Sequence, residues 1–458
     1  MDTLTRPFSS SWYGRVAGAL ALCSLLGLGG CGLLHRHHPA PAALQAESGD
    51  WSAFRLNTEL NPVIDAPKDL ALHWTFKTHG GISSSPTVSG DTVFIASNDH
   101  HVYALDLRTG RPRWTFAADD EVMTAPLVFR HTVIIGEGNN HSDESMFFPP
   151  NYMLMGDGSN SLFGIDEETG KQIWRRRLPG TAMPTGAIVN DTYVHHDSSG
   201  MLFAFGAVDG SYRWRAYVGS AAAMVGANNF HGNKVVTGGD YPNSVLAFDG
   251  TTGAVLWRTS FSDQDGGFDD CPDASDGQSI FGTYNARPSD SKYGFVGNTT
   301  PAVQHAYALD GETGQVEWDV PLVRGVLPVN NSTAIPMLYE DVLYLGSAMV
   351  PAMFALDTKT GKLLWRLTVG GPVKGGVVAK DGTIYFGDLK GYYWAVDARS
   401  GTVVKKTKMI DGFNVGSPII VGSNLIVGTA HGYVLAMPLT ALAPGGNSRA
   451  QTDTVTTH

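Results

Sequence analysis

Cysteine is nearly absent from this chain. Cys23, Cys31 and Cys271 are its three examples, and the first two lie in or directly after an N-terminal apolar run. No internal disulfide can therefore staple the body of the chain, and packing must hold its core. Positive charge is scarce as well: 32 basic residues against 43 acidic ones leave a formal net charge of −11, which argues against a nucleic-acid partner. After Val16 to Leu28 no second apolar span follows. The sequence also has no zinc-ligand spacing, no G-x-S-x-G elbow and no phosphate-binding loop.

What the sequence has is a repeat. The stretch Tyr103-Ala104-Leu105-Asp106 through Gly110 to Trp114 returns as Phe163-Gly164-Ile165-Asp166 through Gly170 to Trp174, and as Ala204-Phe205-Gly206 through Gly210 to Trp214. Further copies end at Trp257, Trp318 and Trp365, and a seventh passes Gly401 with Lys405 where the tryptophan would stand. A period of roughly forty residues marks a propeller or solenoid. Each copy reads as strand, turn and strand: an apolar alternation, an Asp that accepts backbone N–H groups, a Gly that closes the turn with positive φ, and a Trp with a large apolar face for the neighbouring unit. Two strand-like runs precede each copy, as Ser85 to Val88 and Thr92 to Ala96 do for the first, which makes a four-stranded blade.

The ends of the chain raise the blade number from seven to eight. Val415 to Ile420, Asn424 to Gly428 and Tyr433 to Ala436 form three strands of a unit without its Trp strand, while Trp74-Thr75-Phe76 repeats Trp114-Thr115-Phe116 with no motif of its own. A strand at residues 70–76 completing the last blade closes the ring and removes an exposed edge. The expected architecture is all-β, an eight-bladed propeller over residues 70–438 closed by that N-terminal strand, with residues 439–458 as a disordered tail.

Arg6, Arg15 and the apolar run from Val16 have the form of a signal peptide over residues 1–30. The tetrapeptide Leu28-Gly29-Gly30-Cys31 resembles the lipobox of bacterial lipoproteins, which implies a lipid on Cys31 and, with Gly32 rather than Asp next, sorting to the periplasmic face of the outer membrane. Residues 31–69, with His35, His37, His38, Pro39 and Pro41, then read as the lipidated cysteine and a flexible tether.

Two interruptions of the repeat are candidate sites, because propellers carry function on loops. The first holds Met146, Phe147, Phe148 and Tyr152, exposed apolar residues suited to docking a protein, or equally to covering their own blade. The second holds Asp263, Asp265, Asp269 and Asp270, a density of oxygen ligands suited to Ca²⁺ or simply to solvent. Gly267 and Phe268 break the EF-hand pattern there. In His100-His101 and His195-His196, one member of each pair is expected to face outward.

The Ala-x-Asp-x-x-x-Gly-x-x-x-Trp motif resembles the tryptophan-docking repeat of the pyrroloquinoline-quinone (PQQ) propeller superfamily over nearly the whole ring. Two function classes share that repeat: periplasmic PQQ-dependent dehydrogenases and non-catalytic lipoproteins similar to the outer-membrane assembly factor BamB. Similarity to the dehydrogenases implies calcium-binding roles for Glu137, after Ile135-Gly136, and Asn285, within Phe281-Gly282-Thr283-Tyr284-Asn285. Against them, the vicinal cysteine pair and the Trp that clamp the quinone are missing, and Val329-Asn330-Asn331 stands where their catalytic Asp is expected. Amides cannot take a hydroxyl proton as a carboxylate does.

The expected function is therefore a non-catalytic, lipid-anchored, monomeric propeller that docks a protein partner at the outer membrane, with outer-membrane protein assembly as one such role, and works without a cofactor. The alternatives are a dehydrogenase of alcohols or sugars using PQQ and calcium, and a propeller that binds a small ligand or a polysaccharide.

Overall fold

The computed structural model describes Trp51 and residues 54–139, 158–218, 228–230, 233–239, 244–261, 273–286, 301–326, 334–442 and 453–456. Within these the chain forms seven four-stranded sheets and one six-stranded sheet. Blade one consists of Thr87–Ser89, Thr92–Ser97, His101–Asp106 and Pro112–Ala117, paired antiparallel in sequence order. The pattern repeats to blade seven, which is Val378–Lys380, Thr383–Gly387, Tyr392–Asp397 and Val403–Lys408. The second strand is buried at every position in blade one, whereas the fourth alternates and is largely exposed. Inner strands lie between two neighbouring blades and so have no solvent face; outer strands form the rim.

The repeated motif builds the joints between blades. Asp106 Oδ1 accepts the Thr109 amide at 2.9 Å and its hydroxyl at 2.8 Å, and Gly110 follows at φ 68°. A bulge between Ala104 and Leu105 sets Trp114 directly across from Ala104, a residue small enough to leave the indole room. Each indole then crosses to the next blade. Trp114 donates to the Glu167 carbonyl at 2.9 Å and its ring lies against Gly170, where a Cβ would clash with it. Trp174, Trp214, Trp257, Trp318 and Trp365 repeat the arrangement. At the seventh joint Lys405 Nζ instead donates to the Ala441 carbonyl at 2.9 Å.

Blade eight closes the ring. Ile419–Val421, Asn424–Gly428 and Tyr433–Pro438 are completed by Trp74–Lys77, antiparallel with Trp74 opposite Ala436. Trp74 docks on blade one, donating to the Leu107 carbonyl at 2.8 Å. Val63–Ile64 adds a parallel strand on the inner edge and Asp453–Thr456 one on the outer edge.

Two expectations about the ends of the chain need correction. Residues 54–64, assigned to the tether over 31–69, are packed against the ring, and Leu60 is fully buried. Residues 439–442 form a short 3-10 helix and 453–456 a strand rather than a disordered tail. Both segments take their order from edges and inner surfaces that the ring offers, and their own sequences carry no periodic pattern. Among the described residues no helix is long and apolar enough to cross a membrane.

Candidate functional site

The blade turns with Asp and Gly lie on one face of the ring; the connections between second and third strands, and from each blade to the next, lie on the other. The N-terminal segment runs along the inner edges of the blades. Trp51 exchanges backbone hydrogen bonds with Val128 of blade two at 2.7 and 3.1 Å. Downstream, the Thr58 carbonyl accepts Ser275 N of blade five, the Glu59 carbonyl Leu338 N of blade six, and the Pro62 carbonyl Ile420 N of blade eight, at 2.6, 2.9 and 2.9 Å. Asn61 Oδ1 accepts Ala379 N of blade seven at 2.8 Å. One strip of chain thus satisfies inner-edge groups of five blades that would otherwise lack partners.

Glu137, fully buried after the second strand of blade two, is saturated by its surroundings. Its Oε2 accepts the Asp119 and Asp120 amides at 2.8 and 3.3 Å, and its Oε1 accepts the Ser159 hydroxyl at 2.6 Å and Arg175 Nη2 at 3.0 Å. Asn285 is buried at the end of the second strand of blade five and pairs across its sheet with Gln304. The two stand three blades apart in the ring order, and every partner of the Glu137 carboxylate comes from blade two or the connection before it. Ca²⁺ wants six to eight oxygen ligands, and the described residues contain no group of three His, Cys, Asp or Glu able to hold a metal. With its carboxylate already engaged by these four groups, Glu137 does not fit the calcium-binding role that the dehydrogenase resemblance implies. Cys31, the Met146–Tyr152 patch, Asp263, Asp265, Asp269, Asp270, Asn330 and Asn331 lie outside the described residues.

The loop-bearing face of blade five holds chemistry that the sequence did not reveal. Its strands Ser279–Ala286, Pro301–Asp310 and Val316–Val326 are longer than their counterparts in blade one. They bring together Tyr284, His305 and Asp319. The Tyr284 hydroxyl donates to Asp319 Oδ2 at 2.7 Å, and His305 Nδ1 hydrogen-bonds Asp319 Oδ1 at 2.8 Å. Burial and the neighbouring carboxylate raise the Tyr284 phenol above its ordinary range, so it remains a donor. A carboxylate on Nδ1 orients an imidazole for proton transfer at Nε2. Nearby, Asp273 is pushed up to about 7 by burial and accepts the Tyr307 hydroxyl at 2.5 Å.

On the opposite face, a cavity of about 390 Å³ opens where the N-terminal segment leaves the axis, lined by Trp51, Leu56, Ile64, Asp65, Asp91 and Arg108 among others. The histidine pairs behave differently from each other. His100 is exposed, but His195 and His196 are both fully buried, contrary to the expected outward-facing member. His195 lies beside Tyr193 of the same strand, and on the other face His196 Nδ1 meets Thr237 Oγ1 of blade four at 3.0 Å.

Fold and joints together define an eight-bladed propeller of the tryptophan-docking class. The chain belongs to the family described as outer membrane protein assembly factor BamB, whose model matches residues 64–146, 140–275 and 302–454. Relatives in other function classes are also similar. A tetrathionate hydrolase from Acidithiobacillus ferrooxidans is 24% identical over 458 residues, covering 89% of this chain and 90% of its own. A polyvinylalcohol dehydrogenase from Sphingopyxis is 24% identical, covering 80% of this chain and 68% of its own. Among solved structures, BamB from Moraxella catarrhalis superposes with a TM-score of 0.60 at 16% identity, covering 80% of this chain and 98% of that one.

Proposed function

We propose that the protein is a non-catalytic propeller scaffold, anchored through Cys31 to the periplasmic face of the outer membrane, that docks a protein partner of outer-membrane assembly. The observation that carries this reading is the lined inner edge: the chain's own Trp51 and residues 58–62 satisfy inner-edge groups of five blades. A ring closed in this way is a rigid body that presents its rim. The outer strands of blades four, six and seven expose apolar residues just before each docking position, at Val255 and Leu256, Leu363 and Leu364, Val403 and Val404, between 36% and 51% exposed. Such a belt suits a protein neighbour.

A second reading is favoured by the tetrathionate hydrolase that matches along nearly its whole length. It is a hydrolase of a small sulfur oxyanion on the loop-bearing face of blade five. There His305, oriented by Asp319, would act as the proton-transfer group.

Photo-crosslinking from Leu364 and Val404 in intact outer membranes, alongside an assay of tetrathionate consumption by the purified chain, separates the two. A specific adduct to an assembly component without turnover supports the scaffold. Turnover that falls at least 100-fold in His305→Ala, with no adduct, replaces the scaffold with the hydrolase.

A further inference from the structure

A buried cation at the ring axis has no counter-charge. Arg55 is 1% exposed and sits in the N-terminal segment at φ 54°. Its Nη2 donates to the Val377 carbonyl of blade seven, while Nε and Nη1 have no partner. Nη1 lies against Gly376, where any side chain would overlap it. Gly376 N in turn donates to Ser417 Oγ at 2.8 Å, which joins blade seven to blade eight at this level. Tyr393, fully buried in blade seven and edge-on to Phe413 at 5.1 Å, has a hydroxyl that also lacks a partner and feels the Arg55 charge.

We propose that Arg55 and Tyr393 hold a small monovalent inorganic anion of chloride size, enclosed between blades seven and eight, which ties the N-terminal segment to the ring. Two unused guanidinium nitrogens and a phenol hydroxyl are all donors, and no carboxylate acts on Arg55. Burial lowers Arg55 to about 9, which still leaves it charged at neutral pH. A water molecule would accept one or two of these hydrogen bonds and leave the charge uncompensated, and an unpaired buried charge is strongly destabilising. An anion held on one unused edge of the guanidinium and by the phenol hydroxyl neutralises the site. Complete burial of both side chains limits the occupant to one of about atomic size and excludes an extended ligand.

The test uses the purified chain in sodium chloride against sodium gluconate at equal ionic strength, with bromide-soaked crystals read by anomalous diffraction. The expected result is an anomalous peak beside the Arg55 guanidinium and a melting temperature higher in chloride by about 2 °C or more. Arg55→Met should lose both. If that variant fails to fold, Tyr393→Phe keeps the test, because it should retain the ring and shrink the chloride shift. Equal melting temperatures in the two salts with no bromide peak would mean that water fills the site, and would overturn the proposal. A chloride shift of full size in Tyr393→Phe or Arg55→Met would place the anion elsewhere and overturn it equally.

Discussion

Asp273 and His195 are single buried groups whose protonation pulls the stability of the ring in opposite directions. Burial raises Asp273 from 3.8 to about 7, so the folded state holds a proton that the unfolded chain releases. Its contribution is complete below about 4 and is lost as pH rises to about 7. Burial, reinforced by His196, lowers His195 from 6.5 to about 3, so the unfolded chain binds the extra proton. That contribution is complete above about 6.5 and is lost as pH falls towards 3. Asp273→Asn should therefore flatten the decline in melting temperature between pH 4 and 7, and His195→Gln should flatten the decline below pH 6. Calorimetric scans of both variants across that range check the signs; an unchanged profile in either would mean that the group titrates alike in folded and unfolded chains.

At the scale of the blade, the docking indole is the unit of cohesion. Trp214 is 8% exposed, donates to the Gly250 carbonyl at 3.1 Å and lies on Gly253, whose φ of 73° and tight contact admit no side chain. Trp214→Ala removes both the packed surface and the hydrogen bond, and should cost about 3–5 kcal/mol. The seventh joint has no such ring, and Lys405→Met there should cost only about 1 kcal/mol, the worth of one hydrogen bond to a carbonyl. Denaturant unfolding monitored by tryptophan fluorescence separates the two magnitudes. Equal losses would show that the joints are not held by the indoles.

For the whole molecule, closure is what Trp51 and residues 54–77 contribute. Without Trp74–Lys77 the third strand of blade eight, Tyr433–Pro438, becomes an open edge, and without Trp51 and residues 58–62 the inner edges of five blades lose partners. A chain starting at residue 51 should keep the association state and melting temperature of the full chain. One starting at residue 79 should associate or precipitate through its free edge. Sedimentation velocity on the two truncations distinguishes them, and a monomeric, stable chain from residue 79 would remove the closing role of the N-terminal strand.

The number of blades, their joints and the closing strand were legible in the sequence, because each copy of the Asp, Gly and Trp motif does its work within one turn and one neighbour. Local periodicity and turn chemistry are enough to specify that much. Lys405 at the place of a tryptophan already marked the odd joint, though not its substitute partner, Ala441. What only the tertiary structure decided lies where distant segments meet. Residues 54–64 have no strand pattern, since their order comes from the inner edges of four blades, five to eight. Glu137 is legible as a carboxylate, but only folding brings Arg175 and Ser159 to it and so closes it to a metal. His195 and His196 are both buried because a propeller strand has a neighbour on each side, which alternation in one strand cannot report. Tyr284, His305 and Asp319 come from three strands of one blade, so their convergence depends on register, and a linear sequence does not show register.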